Sequence, residues 1–192
     1  MPLKEYEQKR DFGKTAEPQA KARLDGPAEA VFVVQKHKST RLHYDFRLEV
    51  DGVLKSWAIP KGPSLNPSQK RLAVMVEDHP YDYKDFEGVI PQGEYGAGTV
   101  MIWDEGAYAV AEGDPAGALE AGVMKFELDG KKLKGTFSLV HTRMGGKDQN
   151  WLLIKGKDDH AGREGDILEE EPDSARTGRS LEQITEQEPG EK

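Results

Sequence analysis

The chain has 192 residues, a formal net charge of −8 and no cysteine, so disulfides and thiolate metal sites are excluded. Its length suits one domain with a substantial core plus an appendage, and with no long apolar run it offers neither a membrane span nor a secretory signal. The charge is uneven: residues 163–192 carry ten acids and four bases, a net of −6, which leaves −2 for residues 1–162 and so does not exclude a polyanionic partner. A soluble cytoplasmic protein is expected.

In chain order, residues 1–28 are polar and rich in Ala, Lys and Pro, which predicts an N-terminal arm. Residues 29–160 read as a mostly β domain. Val31 to Gln35 is a short apolar run, and residues 42–50 and 53–59 flank Asp51-Gly52, a dipeptide that favours a tight hairpin. Leu72 to Glu77, Thr99 to Trp103 and Ala107 to Ala111 follow as strands, then a short helix at Pro115 to Ala121. Val123 to Leu128 and Thr136 to His141 flank Asp129-Gly130, and Trp151 to Lys155 is the last strand. About eight short strands predict an all-β fold, a compact closed or nearly closed antiparallel barrel with one or two short helices. A sandwich is the alternative. Residues 161–192 have no aromatic residue and few aliphatics, which predicts an acidic disordered tail or linker in which Leu181 and Ile184 form a short helical turn on a partner.

Chemistry concentrates at His37, His43 and Asp45, within nine residues and beside Arg41 and Arg47. From Leu42 the side chains alternate, so His43, Asp45, Arg47 and Glu49 share one strand face while Leu42, Tyr44, Phe46, Leu48 and Val50 share the other. An imidazole and a carboxylate two positions apart on a strand can meet around one cation, with His37 as a third ligand. Guanidinium groups beside such a cation grip phosphate. The competing reading is a solvated strand face with surface histidines, which suits any lone His-x-Asp.

His79, at the end of an apolar strand in Glu77-Asp78-His79-Pro80, would donate a hydrogen bond or proton to a bound phosphate, with Lys61 and Arg71 adding positive charge. The glycine-rich segment from Gly88 to Gly98 matches neither the P-loop nor the dinucleotide fingerprint and reads as a structural loop. His141 with His43 and Asp45 would instead make the facial triad of a non-haem Fe(II) oxygenase.

The motifs Arg10-Asp11-Phe12 with Glu17-Pro18, His37 through Arg47, Ser56 through Gly62, Glu77 through Pro80 with Tyr83, Glu87 through Thr99, and Asn150 through Lys155 together resemble one family. It is the 3′-phosphoesterase domain of bacterial DNA ligase D, and the resemblance runs from about Tyr6 to Lys155. It implies a Mn²⁺-dependent β-barrel enzyme, with Co²⁺ or Zn²⁺ as alternative ions, that removes a 3′-terminal ribonucleoside and then the 3′-phosphate in end joining. It carries the metal ligands onto His37, His43 and Asp45, and phosphate or transition-state contacts onto Arg47 and His79. Lys61, Arg71 and Tyr83 become further site contacts, and Arg10, Asp11 and Glu17 catalytic residues of the arm. The partners it implies are DNA or DNA/RNA primer-template 3′ ends, with end-joining ligase, polymerase or Ku-type proteins, acted on by a monomer in the cytoplasm of a prokaryote. A non-catalytic barrel that only binds DNA ends is the remaining reading.

Overall fold

A computed structural model describes residues 3–21, 30–162 and 164–188, with only the backbone of Met144. Parts of the expected arm (1–2 and 22–28) and tail (163 and 189–192) lie outside the described residues. The strands are β1 (Val31–Lys38), β2 (Leu42–Val50), β3 (Val53–Ile59), β4 (Arg71–Pro80), β5 (Gly88–Ile90), β6 (Gly98–Val110), β7 (Val123–Gly130), β8 (Lys134–His141) and β9 (Asn150–Lys155). They pair antiparallel in the order β1-β2-β3-β4-β9-β8-β7-β6, and β1 pairs again with β6, which closes an eight-strand barrel. Closure leaves no sandwich. The short β5, absent from the sequence reading, pairs with the start of β6, where β7 does not reach.

The two Asp-Gly pairs behave differently. Asp51 and Gly52 both take positive φ, 51° and 86°, as a tight two-residue hairpin turn requires. Asp129 and Gly130 instead belong to β7, and the bend falls at Lys131-Lys132. Asp104 decides this: its carboxylate accepts the backbone N–H groups of Lys131, Lys132 and Leu133 at 2.9, 3.0 and 2.8 Å. Asp104-Glu105-Gly106, which divides two strands in the sequence reading, therefore lies inside one continuous β6.

Ring contacts define the barrel interior. Phe46 on β2 lies 6.0 Å from Phe126 on β7, Phe126 stacks on Phe137 of β8, and Trp57 on β3 meets Trp151 on β9 at 6.0 Å. Since Phe46 points inward, alternation sends Asp45 and Arg47 to the outer wall. A second apolar cluster covers that wall, with Tyr6 from α1 (Lys4–Gln8), Tyr83 and Phe86 from the turn after β4, and Ile90 of β5. β2 is thus buried on both faces.

The helix α2 (Pro115–Ala121) falls where expected, with Asp114 capping its start and Gly122, at φ 84°, ending it. The tail does not match expectation. Residues 164–188 carry α3 (Ile167–Glu170) and α4 (Leu181–Gln187) and pack on the barrel, with Leu181 and Ile184 buried in the main core. Composition understated this segment because its few aliphatic residues enter an existing core, while barrel side chains bind its backbone and charges. Trp103 Nε1 donates to the Glu171 carbonyl at 2.7 Å, Lys36 Nζ to that of Pro172 at 3.2 Å, and Arg179 pairs with Glu87 at 2.9 Å. Ile184→Ala is expected to lower unfolding free energy by about 2–4 kcal/mol in urea titrations, whereas Glu186→Ala on the exposed side of α4 should change it by under about 0.5 kcal/mol.

Candidate active site

The β1–β2 hairpin sets His37 directly opposite His43 and Gln35 opposite Asp45. The two imidazole centroids are 4.8 Å apart. Asp45 closes the group, with Oδ2 3.6 Å from His37 Nδ1 and Oδ1 3.4 Å from His43 Nε2. Each imidazole is oriented by a backbone carbonyl: His37 Nε2 donates to Gly96 at 2.7 Å and His43 Nδ1 to Arg41 at 3.1 Å. His37 Nδ1 and His43 Nε2 are left to face Asp45. One donor atom from each of the three residues lies within 4.8 Å of the others, and mixed nitrogen and oxygen donors, with both imidazoles oriented by backbone carbonyls, fit a divalent transition ion.

Electrostatics bind the group to Arg47. Burial pushes the Asp45 pKa up, but the Arg47 charge and hydrogen bonds from both histidines hold it well below the usual carboxylate range. Burial draws the His43 pKa down, yet the hydrogen bond and charge of Asp45 raise it overall. Arg47 Nη2 donates to Asp45 at 3.3 Å and its Nε to Gln35 Oε1 at 2.7 Å, while Gln35 is itself anchored to the carbonyls of Tyr83 and Phe86. The third guanidinium nitrogen, Nη1, is buried without a hydrogen-bond partner among the described residues. A buried unpaired N–H group is costly, and this one belongs to a residue that lines the site cavity.

The arm folds over the site, as the family resemblance requires and composition alone does not. Arg10 lies over the Tyr6 ring at 3.8 Å, donates through Nε to Glu17 at 3.0 Å, and places Nη2 3.4 Å from His79 Nε2. Glu17 also accepts the Tyr83 hydroxyl at 2.8 Å. Burial and then the Glu17 charge hold the Tyr83 pKa well above its ordinary value, so the phenol stays protonated. His79 Nδ1 donates to the Glu77 carbonyl at 2.9 Å, which leaves Nε2 to accept from Arg10. Burial, with the charges of Arg47 and Arg10, lowers its pKa well below 6.5. His79 is therefore neutral and an acceptor at rest.

His37, His43, Asp45, Arg47, His79 and the arm residues Arg10 and Glu17 line one open cavity of about 630 Å³. Tyr83 joins them. Four expected contributors lie elsewhere. Asp11 is exposed, its carboxylate accepting Gly13 N–H at 3.1 Å and pairing with Lys14. Lys61 is exposed in the turn after β3, outside the cavity lining. Arg71 heads β4, at the opposite end from His79. Eight strand positions separate the two, roughly 25 Å, because each residue adds about 3.3 Å. His141 sits on β8, bonded to the Asp148 carbonyl and tilted over Trp151 at 4.9 Å, so the oxygenase triad lacks its third ligand. Sequence reasoning passed over Gln35 and the Gly96 carbonyl. Gln35 had a signal, since it stands two positions before His37 on the same strand face; a carbonyl has none.

A closed antiparallel barrel whose outer wall joins a two-histidine, one-carboxylate cluster to buried guanidinium groups belongs to the class of β-barrels with a candidate metal- and anion-binding centre. Residues 35–141 match the family described as the DNA ligase D 3′-phosphoesterase domain, and the chain belongs to that family. It is 54% identical over 183 residues to the multifunctional non-homologous end joining protein LigD of Pseudomonas aeruginosa, covering 94% of this chain and 22% of that protein. With the multifunctional non-homologous end joining DNA repair protein LigD of Mycobacterium tuberculosis, identity is 45% over 157 residues, 81% of this chain and 20% of that protein. The chain thus spans about a fifth of the length of the curated relatives it matches.

The His79 environment sets a pH dependence. Its folded pKa lies below the unfolded value of about 6.5, so the unfolded chain binds the extra proton and stability falls as pH drops below that value. Between pH 7 and pH 5, His79→Gln is expected to lose less unfolding free energy than the parent chain in urea titrations at each pH. Equal losses would show that His79 is not held neutral.

Proposed function

We propose that the chain is a divalent-metal-dependent 3′-phosphoesterase that heals DNA ends: it removes a 3′-terminal ribonucleoside as a phosphodiesterase, then the remaining 3′-phosphate as a phosphomonoesterase. The observation that carries this reading is the buried Nη1 of Arg47, without a hydrogen-bond partner among the described residues, beside the His37, His43 and Asp45 donors. That arrangement suits a phosphoryl group, and membership of a family described as a 3′-phosphoesterase domain supports phosphoester chemistry. His37, His43 and Asp45 would hold the ion, Mn²⁺ in our reading with Co²⁺ or Zn²⁺ as alternatives. When bound, it supplies Lewis-acid neutralisation of phosphoryl charge.

The chain's own groups do the rest. Arg47 Nη1 takes a non-bridging phosphate oxygen, and Gln35 and Asp45 fix the guanidinium plane so that no reorganisation is needed during reaction. Arg10, held by Glu17, presents a second guanidinium to the same cavity. His79 accepts at Nε2 at rest; a phosphate anion arriving beside it favours the imidazolium, which then donates to the phosphate or to the leaving oxygen. Recognition of the end rests on phosphate and the ribose 2′-hydroxyl, with little base readout. In the cell this activity belongs in the cytoplasm of a prokaryote, on chromosomal ends, as a monomer beside ligase, polymerase or Ku-type end-joining proteins.

A 5′-labelled primer-template ending in one ribonucleotide tests the reading. With Mn²⁺ it should shorten to a 3′-phosphate product and then gain a 3′-hydroxyl, and Asp45→Ala should slow both steps by roughly 100-fold or more, the scale on which loss of one electrostatic contact acts. A labelled duplex that shifts on a gel while its ends stay unchanged under every divalent metal would instead establish a non-catalytic end-binding barrel.

A further inference from the structure

Among the described residues, few large apolar side chains are exposed, and Tyr95, at 48% relative exposure, is the aromatic one. It is also part of the cavity lining. It stands in the loop between β5 and β6, where Gly93 and Gly96 take positive φ of 90° and 76°, and where Glu94 N–H bonds the Pro91 carbonyl and Ala97 N–H that of Glu94. These successive turns hold the ring out from the wall. The adjoining residue, Gly96, accepts the His37 Nε2 proton at 2.7 Å, so the ring is one residue from the carbonyl that orients a candidate metal ligand. Two cations of the arm lie over the ring, Lys9 Nζ at 4.9 Å and the Arg10 guanidinium at 5.3 Å from its centroid, and the residue still keeps nearly half of its surface exposed.

We propose that Tyr95 is the stacking platform for the nucleobase of the terminal nucleoside at a 3′ end, an inference that rests on the phosphoesterase reading. The scissile phosphate, on Arg47 and the metal donors, and a half-exposed aromatic ring lining the same cavity provide the two contacts that a terminal nucleotide needs. Exposed aromatic rings beside cations bind bases without selecting among them, because every base presents a π-face. The loop that the sequence presents as structural thus acquires a substrate-binding role.

The test uses the full chain and two labelled primer-templates, one ending in a normal 3′-ribonucleoside and the other in the same sugar with hydrogen in place of the base. Tyr95→Ala should raise KM on the first roughly 5- to 100-fold, the range for loss of one base–aromatic stack, with kcat within about twofold, and should leave KM on the base-free end nearly unchanged. Tyr95→Trp should retain parental KM on both. A terminal 2-aminopurine, read by fluorescence without added metal, should be quenched on binding the parent chain and not Tyr95→Ala. Equal KM defects on both ends would mean that Tyr95 only anchors the arm, and no defect on either would remove it from substrate binding; each overturns the proposal. If the parent chain leaves both ends unprocessed while Tyr95-dependent quenching persists, the phosphoesterase reading fails and the stacking assignment stands.

Discussion

Asp45 and Arg47, two residues apart on β2 and both buried, stand at the centre of this structure because neither charge is tenable there without the other. The carboxylate is kept ionised chiefly by the guanidinium, and the guanidinium is held by Asp45 and Gln35. Gln35 is in turn fastened to the backbone at Tyr83 and Phe86, the turn that roofs the outer wall. The second apolar cluster, the arm and the candidate metal ligands all assemble around that buried pair. A strand with an apolar face on one core and a charged face under another must satisfy every polar atom it hides. Among the described residues Arg47 Nη1 is an exception, and it belongs to a residue that lines the cavity.

Much of this was legible in sequence because strand period is a strong signal. The bounds of β2 and β3 and the Asp-Gly turn between them follow from alternation and turn chemistry. The same alternation assigned His43, Asp45 and Arg47 to one face, although it could not say that the face is roofed rather than solvated. What failed did so where tertiary contacts override local preference. Asp104 spans three backbone amides nearly thirty residues away and moves a hairpin bend off its Asp-Gly pair. Ile184 enters a core that its own segment could never build. Arg71, attractive as a cation in a charged list, is on the wrong end of a long strand.

The arm shows a different kind of illegibility. Its charged residues look solvent-bound, yet Arg10 and Glu17 are buried because each finds a complementary partner on the wall: His79 and Glu77 for one, Tyr83 for the other. Burial then sets protonation states. The phenol is kept protonated and the imidazole neutral by the same two causes, low polarisability and the sign of the nearest charge.

Placement of the site on the outside of the wall governs what can reach it. A bore packed with Phe46, Phe126, Phe137 and Trp57 admits nothing, so the barrel serves as a rigid tabletop. Its outer surface and the arm that folds over it line one open cavity. In the proposed function, a nucleic-acid end is gripped there at its terminus while the remainder of its length extends past the protein, and the number of nucleotides behind that terminus places no demand on the size of the fold.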